Sequence, residues 1–278
     1  MKKFCYALLI GLLTVPVLYA QEVKIPIIKP EVQESQIMFQ RMVWRRMDLR
    51  EKQNQPFFSR NGEISRLLLD AVEEGLLKPY MTDSCLNLMP DSVFKTKTTV
   101  ERQGGADFGG GFGGGFGGGF GNESSSQAQS SGPKADAIPK DVFDVMYIRE
   151  EVMFDRNRSR MYWYIRALTI ALPGRAGSTW NPAGFENQVC HFKYEDVVAL
   201  FRGPYADKAI WYNNQNQAAH RNYGDALELR LFSAPIIKMS NAQNLDIRQL
   251  TSDPFDAVML QQKYEYDLME YESELWEY

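Results

Sequence analysis

Between Val142 and Phe154 the order of apolar and polar positions suits a β-strand. "DRNRS" then turns the chain, and "RMYWYIRALTIALPG" reads as a second strand rich in aromatic and β-branched residues. Alternation along that strand places Met161, Trp163, Ile165 and Ala167 on one face and Tyr162, Tyr164, Arg166 and Leu168 on the other. Both faces of this hairpin are partly apolar, which predicts cover on both sides from flanking helices.

Helical spacing appears before and after the hairpin. "SQIMFQRMVWRRMDLREK" sets Phe39, Met42, Val43 and Met47 on one stripe, with arginines largely opposite, and predicts a helix. "NGEISRLLLDAVEEGLLKPY" repeats the pattern with Ile64, Leu67, Leu68, Ala71 and Val72, with Asn61 as the expected N-cap and Gly75 or Lys78-Pro79 as the stop. Between them "NQPFFS" reads as extended, because a residue before proline avoids the helical region. Downstream, Tyr194 to Phe201 and Tyr223 to Phe232 read as short helices and "APIIKMSN" as a short strand. A final helix is expected from Asp253 as N-cap with Pro254 at the first helical position.

These elements predict an α+β fold: a small antiparallel sheet covered by helices, with an N-terminal helical segment and a disordered Gly/Phe/Ser-rich insertion. The expected divisions are a helical region over 35–103, the insertion over 104–134, an α+β core over 135–252 and an acidic C-terminal helix over 253–278. Twelve of the 21 glycines fall between Gly104 and Gly121, spaced by phenylalanines at 108, 112, 116 and 120. The run satisfies a dinucleotide-type glycine pattern only trivially, since no apolar strand precedes it and no helix follows. Glycine is unfavourable in a helix by ~1 kcal/mol relative to alanine, so the segment reads as a tether.

The first residues, "MKKFCYALLIGLLTVPVLYAQ", combine two lysines, a short apolar run and Ala20 before a polar residue. That is the build of a secretory signal peptide over 1–20, leaving 21–34 as an extended leader of an exported protein. The formal charge is −4, and two units more negative once Lys2 and Lys3 are removed. An acidic balance argues against nucleic acid as a partner. The charge is also uneven: Arg41–Arg60 is basic, and Asp253–Tyr278 holds eight acids against Lys263. The two segments can pair within a subunit or between neighbours, or stand as two solvated faces. Trp44, Arg45, Arg46 and Arg50 on one side, and Glu265, Asp267 and Glu270 on the other, are the candidate interaction residues.

The chemistry-bearing residues are few. His191 and His220 are the two histidines, and Cys190 lies next to His191, so a strand would point them to opposite faces. Cys85 and Cys190, the cysteines left after the leader, either form a disulfide or remain separate thiols. One cysteine and two histidines make a poor zinc set, and no cofactor is expected. Glu150 and Glu151, with Asp155, are the candidate carboxylates for glycoside hydrolysis. Trp163, Trp180 and Trp211 are candidate sugar-stacking rings. A carbohydrate-binding module or glycoside hydrolase built on these residues is the alternative function, although Glu150 and Glu151 should face oppositely and be solvated.

"RMVWRRMDLREKQNQPFF", "YIREEVMFDRNRSRMYWYIRALTIALP" and "LFSAPIIKMSN" resemble the GldN family, called PorN in non-gliding relatives. The family pattern often carries a tryptophan where this chain has Val152-Met153. The resemblance implies a non-enzymatic periplasmic subunit of the type IX secretion and gliding machinery. It implies self-association in a ring with a GldK/PorK-type outer-membrane lipoprotein, and contact with a GldM/PorM-type motor protein.

Overall fold

A computed structural model describes residues 32–101, 135–175 and 178–274. The expectations for the signal peptide, the extended leader up to residue 31 and the glycine-rich insertion lie outside these residues. Among the described residues nine strands and six α-helices follow in chain order: β1 Ile37–Asp48, α1 Ile64–Glu73, α2 Asp91–Thr98, β2 Thr99–Glu101, β3 Ala135–Ala137, β4 Val145–Asp155, β5 Arg160–Leu172, β6 Asn187–Lys193, α3 Tyr194–Arg202, β7 Ile210–Trp211, β8 Arg221–Asn222, α4 Tyr223–Glu228, β9 Ile236–Met239, α5 Ile247–Leu250 and α6 Pro254–Glu274. Five strands form one antiparallel sheet in the order β6-β5-β4-β1-β9, so the α+β expectation holds.

The segment expected as the first helix is β1, an interior strand of that sheet. Its true period is two: Val43, Arg45, Met47 and Leu49 are buried, while Met42, Trp44, Arg46 and Asp48 are half-buried. A charged residue at Arg45 breaks the apolar alternation, and the remaining apolar positions mimic a helical stripe. Tertiary pairing with β4 over eleven positions decides the matter. "NQPFF" also differs from expectation: Gln55–Phe57 is a 3-10 turn with Pro56 near its start, where proline's fixed φ and missing N–H cost nothing.

Paired residues share a face, so the register defines the two sides of the sheet. The first face carries Val43, Arg45 and Met47 of β1 against Glu150, Ile148 and Met146 of β4. The second face carries Trp44 and Arg46 of β1 against Arg149 and Tyr147 of β4. On β5 the pairing passes from Arg149–Ala167 to Glu150–Ile165, leaving Arg166 as the extra residue of a β-bulge. The bulge overturns the expected alternation: Leu168 joins Met161, Trp163 and Ile165 on the first face, and Ala167 moves to the second.

Helices cover the first face in two groups. The larger core unites Met146, Ile148, Leu168 and Phe192 of the sheet with Leu68 of α1, Phe201 of α3 and Leu227 of α4. A smaller core unites Val43, Val152, Phe154 and Ile236 with Ala257 and Leu268 of α6. On the second face helical cover is local: Tyr164 bonds Glu195 (2.8 Å) and meets the ring of Tyr194 edge-on at 6.5 Å, both at the start of α3. Another part of this face lies under the segment Tyr80–Leu88, whose Tyr80 bridges to His191 on β6 and whose Asp83 reaches Trp44.

Helix ends follow local chemistry. α1 stops in a paired-bond motif, with the amide of Leu76 donating to the carbonyl of Ala71 (2.8 Å) and that of Gly75 to Val72 (3.0 Å). Gly75 sits at φ +75°, as a residue in that position must. The expected cap Asn61 lies two residues too early, and Glu63 occupies the N-cap position without a side-chain cap. Asp253 does cap α6, accepting from the amide of Phe255 at 3.0 Å.

Candidate functional site

Between the two cores of the first face lies a closed cluster of charge. Arg45, 7% exposed, donates from Nε to Glu150 Oε2 (2.9 Å) and from Nη1 to the carbonyl of Ala234 (2.8 Å). Its two terminal nitrogens reach Glu265 Oε1 and Oε2 of α6 at 2.6 and 3.1 Å. Fully buried Glu150 accepts a second fork from Arg230, at 2.6 and 3.2 Å. Both guanidinium groups stack on the ring of Trp163, at 5.3 Å for Arg45 and 5.0 Å for Arg230. Two cations and two carboxylates balance, which is the condition for burying charge at all. Burial by itself would lower the affinity of Arg45 for its proton, but Glu150 and Glu265 together hold its pKa above the ordinary value.

Local structure makes this convergence. β1 and β4 place Arg45 and Glu150 one register step apart on the same face. Arg230 stands just after α4 in a left-handed conformation (φ 54°), which turns its side chain toward the sheet. Glu265 faces inward from α6 on the side that also carries Leu268. Charge asymmetry along the sequence points to Arg45 and Glu265. Glu150 and Trp163 stand among the sugar-chemistry candidates, and Arg230 carries no sequence signal beyond a basic residue in the otherwise apolar "LRLF".

The other candidate residues find separate partners. Arg46 donates to both oxygens of Glu186 (2.9 to 3.2 Å), and Tyr147 bonds the same carboxylate. Arg50 and Arg175 both pair with the fully buried Asp144. Trp44 donates its indole N–H to Asp83 at 2.7 Å, with Arg149 and Lys238 against its ring at 5.5 and 5.1 Å. Asp267 and Glu270 are exposed on α6.

The two adjacent glutamates do face oppositely, yet both are buried, which corrects the expectation of solvated carboxylates. Glu151 accepts from Gln40 and from Arg166 Nε (2.6 Å) on the second face. Carboxylates on opposite faces of a strand, each held by arginine, do not flank a common substrate atom. The three tryptophans are likewise dispersed: Trp163 lies in the ion cluster, Trp211 meets Phe57 edge-on at 6.5 Å, and Trp180 packs on the main core from a loop.

Cys85 and Cys190 are separate thiols. Cys190 pairs with Ile170 and faces the main core, whereas Cys85 lies in the segment that crosses the second face, so the sheet stands between them. Burial pushes Cys85 up to about 11 and Cys190 higher still. His191 bonds Thr169 Oγ1 through Nδ1 (2.7 Å), and burial lowers its pKa to about 4. Among the described residues, no cluster of three or more histidine, cysteine or acidic side chains could hold a metal ion. Among them too, no helix is long and apolar enough to cross a membrane.

A family model described as gliding motility associated protein GldN matches residues 32–277. The chain belongs to the GldN family. Membership makes it a component associated with gliding motility and type IX secretion, and the matched span takes in every element of the sheet, the ion cluster and α6. No curated protein matches the chain.

Proposed function

We propose that the protein is a non-enzymatic periplasmic scaffold of the type IX secretion and gliding machinery. In this reading it assembles into a ring with a GldK/PorK-type outer-membrane lipoprotein and contacts a GldM/PorM-type motor protein. Family membership supports the machinery, and one structural observation supports the scaffold role. The carboxylates most able to do chemistry are each paired inside the subunit: Glu150 with Arg45 and Arg230, Glu151 with Arg166, and Asp144 with Arg50 and Arg175. Such groups fix shape; they are not poised to act on a substrate.

The test is removal of the gene in a strain that secretes through this route, followed by complementation. Loss of secreted cargo, restored by wild type and equally by Glu150→Gln combined with Arg230→Met, supports the scaffold. A complemented strain that binds or cleaves an envelope glycan through these residues, with secretion unaffected by the deletion, overturns it.

A further inference from the structure

A cavity of about 780 Å³ opens where the sheet ends against the start of α6. β9 is the last strand on this side, and none of the described strands pairs with its outer edge. Ile237 lines the cavity from β9, Ile247 from α5, and Pro254 and Val258 from α6. The acids of the lining are engaged: Glu186 pairs with Arg46 (2.9 Å), Asp246 with Lys238 (3.5 Å), and Asp253 caps α6. Arg248 also lines it, exposed and with no carboxylate paired to it among the described residues. The groove thus offers apolar walls, with Val258 49% exposed, and one cation ready to take an acid.

Past the described part of α6 the sequence continues Leu275-Trp276-Glu277-Tyr278. Three large side chains around a single acid suit apolar walls beside a free guanidinium, and tryptophan and tyrosine are common interface anchors. A subunit's own groove is out of reach of this tail. Val258 and Glu274 stand roughly 24 Å apart along the helix axis, at 1.5 Å per residue. Tyr271, one turn before the tail, stacks at 4.8 Å on Phe39, toward the opposite end of β1 from Arg46. Four residues span no more than about 14 Å even when fully extended.

We propose that residues 275–278 of one copy dock in the β9–α6 groove of a second copy, with Trp276 between the apolar walls and Glu277 on Arg248. Tail and groove lie at opposite ends of α6, so the contact is head-to-tail and each copy both gives and receives a tail. This rests on the scaffold reading and locates its self-contact in named residues. It is tested on the isolated chain, and failure there, while deletion of the gene still abolishes secretion, removes this contact and leaves the scaffold reading standing.

The experiment compares the full mature chain in analytical ultracentrifugation with two variants. One ends at Glu274 and has no tail; the other, Arg248→Glu with Val258→Glu, spoils the groove. Wild type is expected to form oligomers that grow with concentration, and each variant alone to be a monomer. Their equimolar mixture should give a dimer and nothing larger, because one tail and one groove remain. A fluorescent synthetic peptide of residues 270–278 should bind the chain that ends at Glu274, and Trp276→Ala in the peptide should weaken binding about tenfold or more. A monomeric wild type, a variant that oligomerises like wild type, a mixture that stays monomeric, or a peptide held equally well by the groove variant overturns the proposal. Should the groove variant fail to fold by circular dichroism, a photo-crosslinking residue at Tyr278 decides instead. Adducts on residues 237–258 of a second copy support the contact. Adducts confined to other parts of the chain or to another protein overturn it.

Discussion

Arg45 and Glu265 stand 220 positions apart in sequence and are joined by two hydrogen bonds of 2.6 and 3.1 Å. Through this contact the C-terminal helix is fastened to an interior strand. The two ends of the bond differ: Arg45 is almost wholly buried, whereas the Glu265 side chain is 40% exposed. Removing the buried end leaves fully buried Glu150 held by Arg230 and takes both bonds from Glu265. Arg45→Ala is therefore expected to cost about 3–5 kcal/mol, and Glu265→Gln about 1 kcal/mol or less. Urea unfolding of the two variants measures both. Reversing Arg45 and Arg46 to glutamate should accordingly weaken the subunit itself at low and high salt alike, since both arginines are used inside it.

Stability should depend on pH through His191. Its folded-state pKa of about 4 lies below the ordinary 6.5. The unfolded chain therefore binds the proton first as pH falls. Stability from the neutral ring is complete above pH 6.5, declines through the interval to pH 4, and changes no further below it, a loss of up to about 3 kcal/mol. Chemical denaturation of wild type and His191→Gln at pH 7 and pH 4.5 should show a larger acid loss in wild type. Equal losses would remove His191 as the cause.

Gly75 is a clean case of backbone strain. A Cβ there would meet nothing within 4 Å, yet φ is +75°. Gly75→Ala should cost about 1 kcal/mol without changing the fold, and Gly75→Asn less, because asparagine tolerates the left-handed region better. Thermal melts rank the three.

Thiol chemistry distinguishes two cysteines from one disulfide. Protein isolated without reductant should carry two alkylatable thiols in denaturant, and in the native state Cys190 should resist. A mass lower by two hydrogens with no alkylation would contradict the separation imposed by the sheet.

β2 and β3 pair Glu101 with Ala135, so the chain leaves for the insertion and returns at neighbouring points. Replacing residues 102–134 by a short glycine-rich turn should leave stability unchanged or raise it by up to about 2 kcal/mol, from the smaller closure entropy. Guanidinium unfolding checks this, and a substantial loss would show that the insertion contributes to the folded body.

The β4–β5 hairpin, α1, α3 and the proline-led α6 were legible because local pattern and final structure agree in them. β1 was not, because burial of Arg45 requires partners contributed by β4 and α6, which no window of sequence contains. The bulge at Arg166 had the same character: alternation continues through it in sequence, while pairing skips one residue. Of the ion cluster, the basic segment and acidic helix were visible as opposing charge. The role of Glu150 was hidden because a glutamate in a strand ordinarily marks a solvated face, and that of Trp163 because its partners are guanidinium groups from distant segments.

The native mass of the complex released from the cell envelope with mild detergent bears most directly on the scaffold account. The account predicts that the protein elutes in a multi-copy assembly together with an outer-membrane lipoprotein. Recovery of the whole pool as a lone monomer, with intact protein and no associated lipoprotein, would contradict it.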